Sequence, residues 1–328
     1  MDLVHWLDEQ NKKRRSVEWP LELSGIRHAA AMIWVRPLHR DYTDHSVWHS
    51  ERIIDVLGHV VGELVAADGM GSVEVFILLA AAYLHDIGMQ DERFHGGDLD
   101  EIRNHHHELT HSCILGKADA RVPLGLELVP PEIRLTIADV AEAHRKTDLS
   151  DAKYQEVRHG DQQVRARFLA ALLRFSDALD IDNRRVHMQL KDLMVLKAEA
   201  EFHWLLCYYV SGVSIKNGVI TIHYQFPEDC GHYLQLVEPL VRNDVREEFQ
   251  NVKIILRECG CRIDLDDRCE YRLVPGLAHM PEEALRIAID RQKRIHTGEI
   301  AKYQDRIQYC DSLLLTAFAP AADEGAYE

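Results

Sequence analysis

The sequence predicts a mainly α fold, a helical bundle followed by a smaller α+β unit. Apolar residues recur at helical spacing through the first half of the chain, and the run from Val73 to Leu84 is typical of a buried helix because Glu74 is its last charged residue. Beyond about residue 190 β-forming residues take over, and Asn217-Gly218 indicates a type I′ hairpin. The predicted parts are a peripheral segment at 1–24, a helical domain at 25–188, an α+β domain at 189–318 and a disordered tail at 319–328.

Apolar spacing and end signals place the helices of the first part. Thr43 or Asp44 offers an N-cap for the second helix, and the run Asp68-Gly69-Met70-Gly71 ends that helix. A polar loop that contains glycine follows the buried helix and extends through Asp98. The predicted helices cover residues 26–38, 46–67, 72–84, 131–144 and 162–181, with a histidine-rich helix around residues 103–111.

The second part predicts a small β-β-α-β unit. β-Forming residues alternate with others from Trp204 to Ile215, and residues 219–226 return as the second strand of the hairpin. A helix at 233–258 and a strand at 262–271 complete the unit. A last helix is predicted at 281–315.

The composition is that of an ordinary soluble globular protein. Of the 328 residues, 46% are hydrophobic and 28% are charged. No apolar run approaches the length that spans a bilayer, and the early charged residues exclude a secretory signal, so we expect a cytoplasmic setting without a membrane partner. The seven cysteines are odd in number and scattered, which favours free thiols. Cys259-Gly-Cys261 with Cys269 lacks the paired spacing of a zinc site.

The charge balance limits the class of ligand. A formal net charge of −16 argues against sequence-independent binding to a phosphate backbone, because such binding needs clustered Lys and Arg. A local basic pocket or a bound cation remains compatible with this balance, so small anionic substrates remain admissible.

A histidine and an aspartate stand side by side at the end of the buried helix. His85-Asp86 comes before Gly88, which can stop a helix, so the pair can present an imidazole and a carboxylate to one cation. The dipeptide alone also fits a solvated helix cap. His49 and Asp177, each on a further predicted helix, are candidates to complete a site. Asp180, three residues after Asp177, is expected to cap the helix or to support a ligand.

The order His49, His85-Asp86, Asp177 on separate helices resembles that of the HD-domain metal-dependent phosphohydrolases, over roughly residues 25–186. The resemblance implies that these four side chains bind a divalent ion. It also implies a second ion, bridged by Asp86, with ligands from the next two helices. His107 and His144 occupy those places, and His106 competes with His107.

The donor types suit Mn²⁺, Fe²⁺ or Mg²⁺, one or two ions, with Zn²⁺ or Ni²⁺ also admissible. In related cyclic-nucleotide phosphodiesterases a histidine four residues before the metal ligand lies near the leaving oxygen, so His45 is a candidate general acid; it fits a backbone-bonded helix-start histidine equally well. Asp86 is the other catalytic candidate. The substrate-binding candidates are Arg52, Arg145, Lys146, Arg184 and Arg185, although Arg52 fits pairing with an acid equally well.

The resemblance predicts hydrolysis of a phosphoester or phosphoanhydride bond in a nucleotide by metal-activated water. The substrate would be a (d)NTP, a cyclic nucleotide or a short oligonucleotide. Two alternatives remain open, a single-strand nuclease and a non-catalytic, metal-stabilised nucleotide sensor. A homo-oligomer is compatible with either. A serine nucleophile is disfavoured, since neither Ser46 nor Ser176 lies in a Gly-x-Ser-x-Gly turn.

Overall fold

The structure, a computed structural model, is mainly α with a small sheet toward the C-terminus, as the sequence predicts. It describes residues 1–14, 19–35, 43–90, 99–118, 120, 122–145, 147–191, 194, 196–266 and 268–297. Residues 91–98 of the predicted polar loop, Lys146, the final helix beyond residue 297 and the predicted tail lie outside these residues. The helices are α1 (Leu3–Arg14), α2 (Trp19–Ile33), α3 (Val47–Ala66), α4 (Ser72–Leu84), α5 (Leu99–Ile114), α6 (Pro131–Glu142), α7 (Ala166–Ala178), α8 (Met188–Lys191), α9 (Ala198–Tyr209), α10 (Tyr233–Glu258) and α11 (Glu282–Thr297).

Helix α4 forms the centre of the bundle. All its residues are buried, and α1, α2, α3, α6 and α7 pack around it. Its single charge, Glu74, is paired, since its two carboxylate oxygens accept hydrogen bonds from Arg165 at 2.7 and 2.8 Å. A buried charge needs such a partner. The C-terminal end of α4 therefore delivers His85 and Asp86 into the middle of the bundle.

The apolar stretch around α4 is longer than the sequence analysis allowed. Ser72–Gln90, 19 residues, has the length and composition of a membrane span, and the statement that no apolar run approaches that length is wrong. The stretch continues past the charged Asp86 because Ile87–Gln90 forms a buried 3₁₀ turn. All of it is buried inside the protein, which also explains its apolar character.

The first helices begin at different residues from those predicted. α2 starts at Trp19 rather than residue 26, because Pro20 lies in its first turn, where proline is well tolerated. The Trp19 ring stacks on Phe76 of α4 with 4.4 Å between ring centroids. The N-cap of α3 is Ser46, whose hydroxyl accepts from the Trp48 backbone at 3.3 Å.

Two further segments differ from their predictions. Residues 157–164 form a short hairpin of β1 (Val157–His159) and β2 (Gln162–Val164), and α7 begins only at Ala166. The predicted strand from Trp204 belongs to α9 as far as Tyr209. The buried residues of α9 lie at helical spacing, which outweighed the alternation of β-formers. They are Ala200, Phe202, Trp204, Leu205, Leu206 and Tyr209.

The sheet is built around the predicted hairpin. β3 (Val210–Lys216) and β4 (Val219–Pro227) are antiparallel, and the turn residues Asn217 and Gly218 have positive φ angles of 52° and 75°, as a type I′ turn requires. β5 (Asp264–Leu265) and β6 (Glu270–Val274) pair with β4 in parallel.

Helix α10 joins this unit to the bundle. It packs on α7, where Phe175 and Phe249 lie 5.2 Å apart between ring centroids. One cluster of buried hydrophobic residues includes side chains from both parts. The division of the chain at residue 188 stays a prediction.

Candidate metal centre

Six side chains with metal-ligating atoms meet at the centre of the bundle. Five helices position them. Three lie within helices, His49 on α3, His106 on α5 and Asp177 on α7, and three follow the end of a helix, His85 and Asp86 after α4 and His144 after α6.

Three of these side chains form a first group. The Nε2 atoms of His49 and His85 lie 3.2 Å apart, and His49 Nε2 is 3.2 Å from Asp177 Oδ1. Asp86 turns its Oδ2 atom toward this group, at 3.2 Å from His85 Nε2 and 3.6 Å from His49 Nε2. Four donor atoms therefore lie close together, the longest of the distances given being 4.0 Å between His85 Nε2 and Asp177 Oδ1.

The other carboxylate oxygen of Asp86 serves a second group. Asp86 Oδ1 is 3.2 Å from His106 Nε2 and 3.4 Å from His144 Nε2. The two imidazole nitrogens are 2.8 Å from each other. Asp86 is thus shared between the groups, one oxygen facing each.

Hydrogen bonds behind the rings fix their orientation. The Nδ1 atom of His49 donates to the Asp180 carboxylate at 2.6 Å. His85 Nδ1 donates to the Ala82 carbonyl at 2.8 Å, and His144 Nδ1 donates to the Ala141 carbonyl at 2.7 Å. Because these partners accept only, each neutral ring carries its lone pair on Nε2, directed into the centre.

The donor set fits divalent ions. Ligands about 2.0–2.2 Å from an ion stand ~3.0 Å apart when they are neighbours in octahedral coordination and ~3.4 Å apart in tetrahedral coordination. The separations of 3.2 to 3.6 Å between most donors of the first group are close to these values. Imidazole lone pairs that face each other also call for a cation between them.

The electrostatics of the centre favour positive charge. Burial disfavours a charged imidazole, yet the Asp86 and Asp177 carboxylates raise the pKa of His85 to about 9. Burial also opposes ionisation of Asp86, but the neighbouring imidazoles hold the pKa of this carboxyl well below its usual value. The surroundings of His85 therefore attract cations, and a divalent ion would replace its proton, whereas in the second group burial lowers the pKa of His144 to about 4.

A close packing contact places α5 against the end of α4. Gly88 donates its backbone N–H to the Thr110 hydroxyl at 3.0 Å, and that hydroxyl donates to the His85 carbonyl at 2.7 Å. A Cβ atom on Gly88 would collide with the carbonyl oxygen of His106 and lie 2.7 Å from the Thr110 nitrogen. Only glycine allows α5 to bring His106 this close.

We expect Gly88→Ala to displace α5 and to weaken the second group selectively. Overpacking of this kind costs about 1–3 kcal/mol of unfolding free energy. Denaturant unfolding and metal analysis should show lower stability and loss of the more weakly held ion. Gly25→Ala is the matched control, because its Cβ would make only an ordinary contact at 3.7 Å. An unchanged metal content in Gly88→Ala would contradict the packing argument.

The centre opens into a cavity of about 360 Å³, here called the site cavity. Asp86, His106, His144 and Asp177 line it. Arg145 and Arg185 contribute positive charge to its lining. Three acidic residues of α10 also line it and are here called the acidic wall: Asp244, Glu247 and Glu248.

The family comparison covers the part of the chain that forms the centre. A family model described as HD-CE matches residues 39–252, which is more than half of the 328-residue chain. The chain belongs to the HD-CE family. The matched range contains all six side chains of the centre, together with α9 and most of α10. Comparison with curated proteins gave no match.

The HD-CE chain brings together His49, His85, Asp86, His144 and Asp177 as the sequence predicted, but not His107. The structure corrects that choice, since His106 occupies the place predicted for its neighbour. Successive helical residues point about 100° apart, so both cannot face the centre. His107 is 6.4 Å from His144 between ring centroids, and its Nδ1 atom has no hydrogen-bond partner among the described residues.

His45 is poorly suited to the role of a general acid. Its Nδ1 atom donates to the Thr43 carbonyl, and its Nε2 atom accepts from Arg185 at 3.4 Å. Burial and the Arg185 guanidinium lower the pKa of His45 to about 3. The ring is therefore neutral, and the structure favours the alternative of a backbone-bonded histidine.

The predicted substrate-binding arginines divide into three groups. Arg52 is buried and donates to Asp180 at 2.8 Å and to Asp44 at 3.1 Å, so it pairs with acids instead of facing substrate. Arg184 donates to Asp182 at 2.8 Å and does not line the site cavity, and its predicted role stays a prediction. Arg145 and Arg185 do line that cavity.

Sequence reasoning missed the acidic wall. Residues 244, 247 and 248 are three and four apart, so they share one face of α10, but nothing local in the sequence indicates that this face meets the centre. Arg174 donates to Glu248 at 2.6 Å, which fixes part of the wall to α7. The described cysteines are free thiols, and none of the Cys259, Cys261 and Cys269 side chains joins a ligand group within the described residues.

Proposed function

We propose that this HD-CE protein is a metal-dependent phosphohydrolase that cleaves a phosphoester or phosphoanhydride bond of a nucleotide. The observation that carries the proposal is the shared carboxylate of Asp86, one oxygen toward each group of ligands. Two divalent ions held about 3.5–4 Å apart are the usual arrangement for displacement at phosphorus. When bound, such ions would activate water and polarise the phosphoryl oxygen.

The side chains have separate tasks in this proposal. His49, His85 and Asp177 would hold one ion, and His106 and His144 would hold the other, with Asp86 shared. Arg185 would contact a phosphoryl oxygen, because its guanidinium is fixed at the cavity wall by bonds to the carbonyls of Asp180 at 2.9 Å and Asp44 at 3.1 Å. Arg145 is exposed at the other side and would supply long-range attraction.

The acidic wall weighs against long polyanions. A single-stranded nucleic acid would lay several phosphates along the protein, and the carboxylates of Asp244 and Glu247 would disfavour those near the centre. The formal net charge of −16 adds to this repulsion. A small nucleotide exposes fewer phosphates and is the substrate that the charges favour.

The first experiment combines metal analysis with a substrate panel. We expect about one or two Mn²⁺ or Fe²⁺ ions per chain in protein purified without chelator, and release of phosphate or a phosphate ester from some nucleotide. Asp177→Ala should abolish hydrolysis and leave nucleotide affinity largely intact, whereas Asp55→Ala, which removes an exposed carboxylate on α3, should change neither. Tight nucleotide binding without turnover in the parent protein would instead support a sensor. Turnover of single-stranded nucleic acid alone would support a nuclease.

A further inference from the structure

A second cavity of about 230 Å³ adjoins the site cavity. We call it the α9 pocket and define it by Ile181, Ala200, Trp204, Cys207 and Val241. Four residues line both cavities: His45, Ile181, Arg185 and Asp244. The two spaces therefore meet at a common boundary.

One face of α9 lines this pocket. Ala200, His203, Trp204 and Cys207 are separated by three, one and three positions, which is the spacing of a single helix face. Ala200 and Trp204 are buried, and Val241 of α10 also lines the pocket. The pocket is thus a mainly apolar recess that carries an aromatic ring, the usual lining of a site for an organic ligand.

The boundary between the cavities is polar. Arg185 is held there by its hydrogen bonds to two backbone carbonyls, and its Nε atom has no hydrogen-bond partner among the described residues. Asp244 offers a carboxylate, which accepts hydrogen bonds from hydroxyl or amino groups. A ligand that spans the boundary would place an anionic group near Arg185, hydroxyl or amino groups near Asp244 and an apolar ring in the pocket.

The size of the pocket limits that ring. A volume of 230 Å³ is below the roughly 300–1,000 Å³ of drug-sized ligand sites and equals about eight molecules of liquid water. It accommodates one ring system with part of a sugar. A second base would have no comparable recess beside the first.

We propose that the α9 pocket binds the nucleoside of a mononucleotide whose phosphate lies at the metal centre. The inference deepens the proposed function and rests on it. It limits the substrate to nucleotides with a single base, and it makes Ala200, Trp204 and Val241 specificity-determining residues. The α+β part of the chain then contributes directly to substrate recognition through α9 and α10.

The test measures binding of ligands with and without the nucleoside. The full chain, loaded with Mn²⁺, is titrated by calorimetry with AMP, GMP, CMP, UMP and inorganic phosphate. At least one nucleotide should bind about tenfold or more tightly than phosphate, a difference of about 1.4 kcal/mol. Ala200→Leu fills the pocket and should remove that advantage while phosphate affinity stays within about twofold. Ala198→Leu makes the same change two residues away, where the side chain points about 200° from Ala200, and should alter neither.

A second variant protects the test against misfolding. Val241→Leu adds one methylene from α10, and it should reproduce the selective loss if Ala200→Leu does not fold by circular dichroism. Equal loss of nucleotide and phosphate affinity in a folded variant would overturn the inference, as would no loss of either. Phosphate binding by the parent protein without tighter binding of any nucleotide would also overturn it and leave the proposed phosphohydrolase in place. A parent protein that binds metal but no phosphate and hydrolyses nothing would remove the proposed function and this inference together.

Discussion

Replacing Asp86 with asparagine should release both metal ions and lower hydrolysis by about three orders of magnitude or more, equivalent to about 4 kcal/mol of transition-state stabilisation. The expected size follows from the shared carboxylate. Oδ2 is 3.2 Å from His85 Nε2 and Oδ1 is 3.2 Å from His106 Nε2, so one substitution changes both groups. The amide would offer only one oxygen as a metal ligand. Its N–H₂ group would donate hydrogen bonds to the imidazole lone pairs, which would then be unavailable to an ion.

The substitution also removes a negative charge from the buried metal centre. Asp86 and Asp177 are the two carboxylates among the six side chains of the centre. Two divalent ions would therefore already leave two positive charges that these carboxylates do not neutralise. Removing one carboxylate leaves three positive charges in excess in a buried site, where charge is costly. We expect neither ion to remain at ordinary free metal concentrations.

Asp55→Asn is the control for this prediction. Asp55 is an exposed carboxylate on α3, and it belongs to no group of metal-ligating side chains among the described residues. Metal analysis and the hydrolysis assay should give parent values for this variant. If Asp86→Asn retained both ions, the bridging arrangement would be wrong even if activity were lost.

The sequence identified those parts of the centre that depend on local order. His85 and Asp86 are adjacent at the end of an apolar helix, so their joint placement required no tertiary knowledge. His49 and Asp177 followed from the order of the helices, and the structure brings both within 3.2 Å of each other through Nε2 and Oδ1. The fold class was predictable for the same reason, because helical spacing and a hairpin turn are local features.

The features that were missed depend on contacts between distant segments. The acidic wall of α10 reaches the centre because Phe249 packs on Phe175 of α7, which no local pattern encodes. The α9 pocket was also missed, because Trp204 and Cys207 on its α9 face were predicted to lie in a strand. Arg52 was ambiguous from the sequence and resolves as a buried partner of Asp180, since the bundle brings the two together across 128 positions.

The choice between His106 and His107 was, in contrast, within reach of the sequence. His106, Leu109, Thr110 and Cys113 lie at i, i+3, i+4 and i+7, the pattern of a helix face that meets a core. All four are buried in the structure. His107 is off this face and its side chain is 16% exposed, so position relative to the apolar face was the better criterion.

The different orientations of His106 and His107 predict a large difference between their alanine variants. His106→Ala should remove one ion per chain and lower hydrolysis by about 100-fold or more, while His107→Ala should keep both ions and most of the activity. The reason is geometric, because His106 Nε2 is 3.2 Å from the shared Asp86 oxygen and 2.8 Å from His144 Nε2. The first group would remain, since none of its donor atoms belongs to α5.

Each variant is the control for the other, because both remove a histidine side chain and their positions are adjacent on one helix. Metal stoichiometry by plasma mass spectrometry, together with the rate on the best nucleotide of the panel, separates the outcomes. Helix propensity favours alanine at both positions, so a general loss of helix α5 is not expected in either variant. Equal losses in the two variants would show that the bound state rotates α5 away from the orientation described above. Loss in His107→Ala alone would restore the ligand first inferred from sequence order.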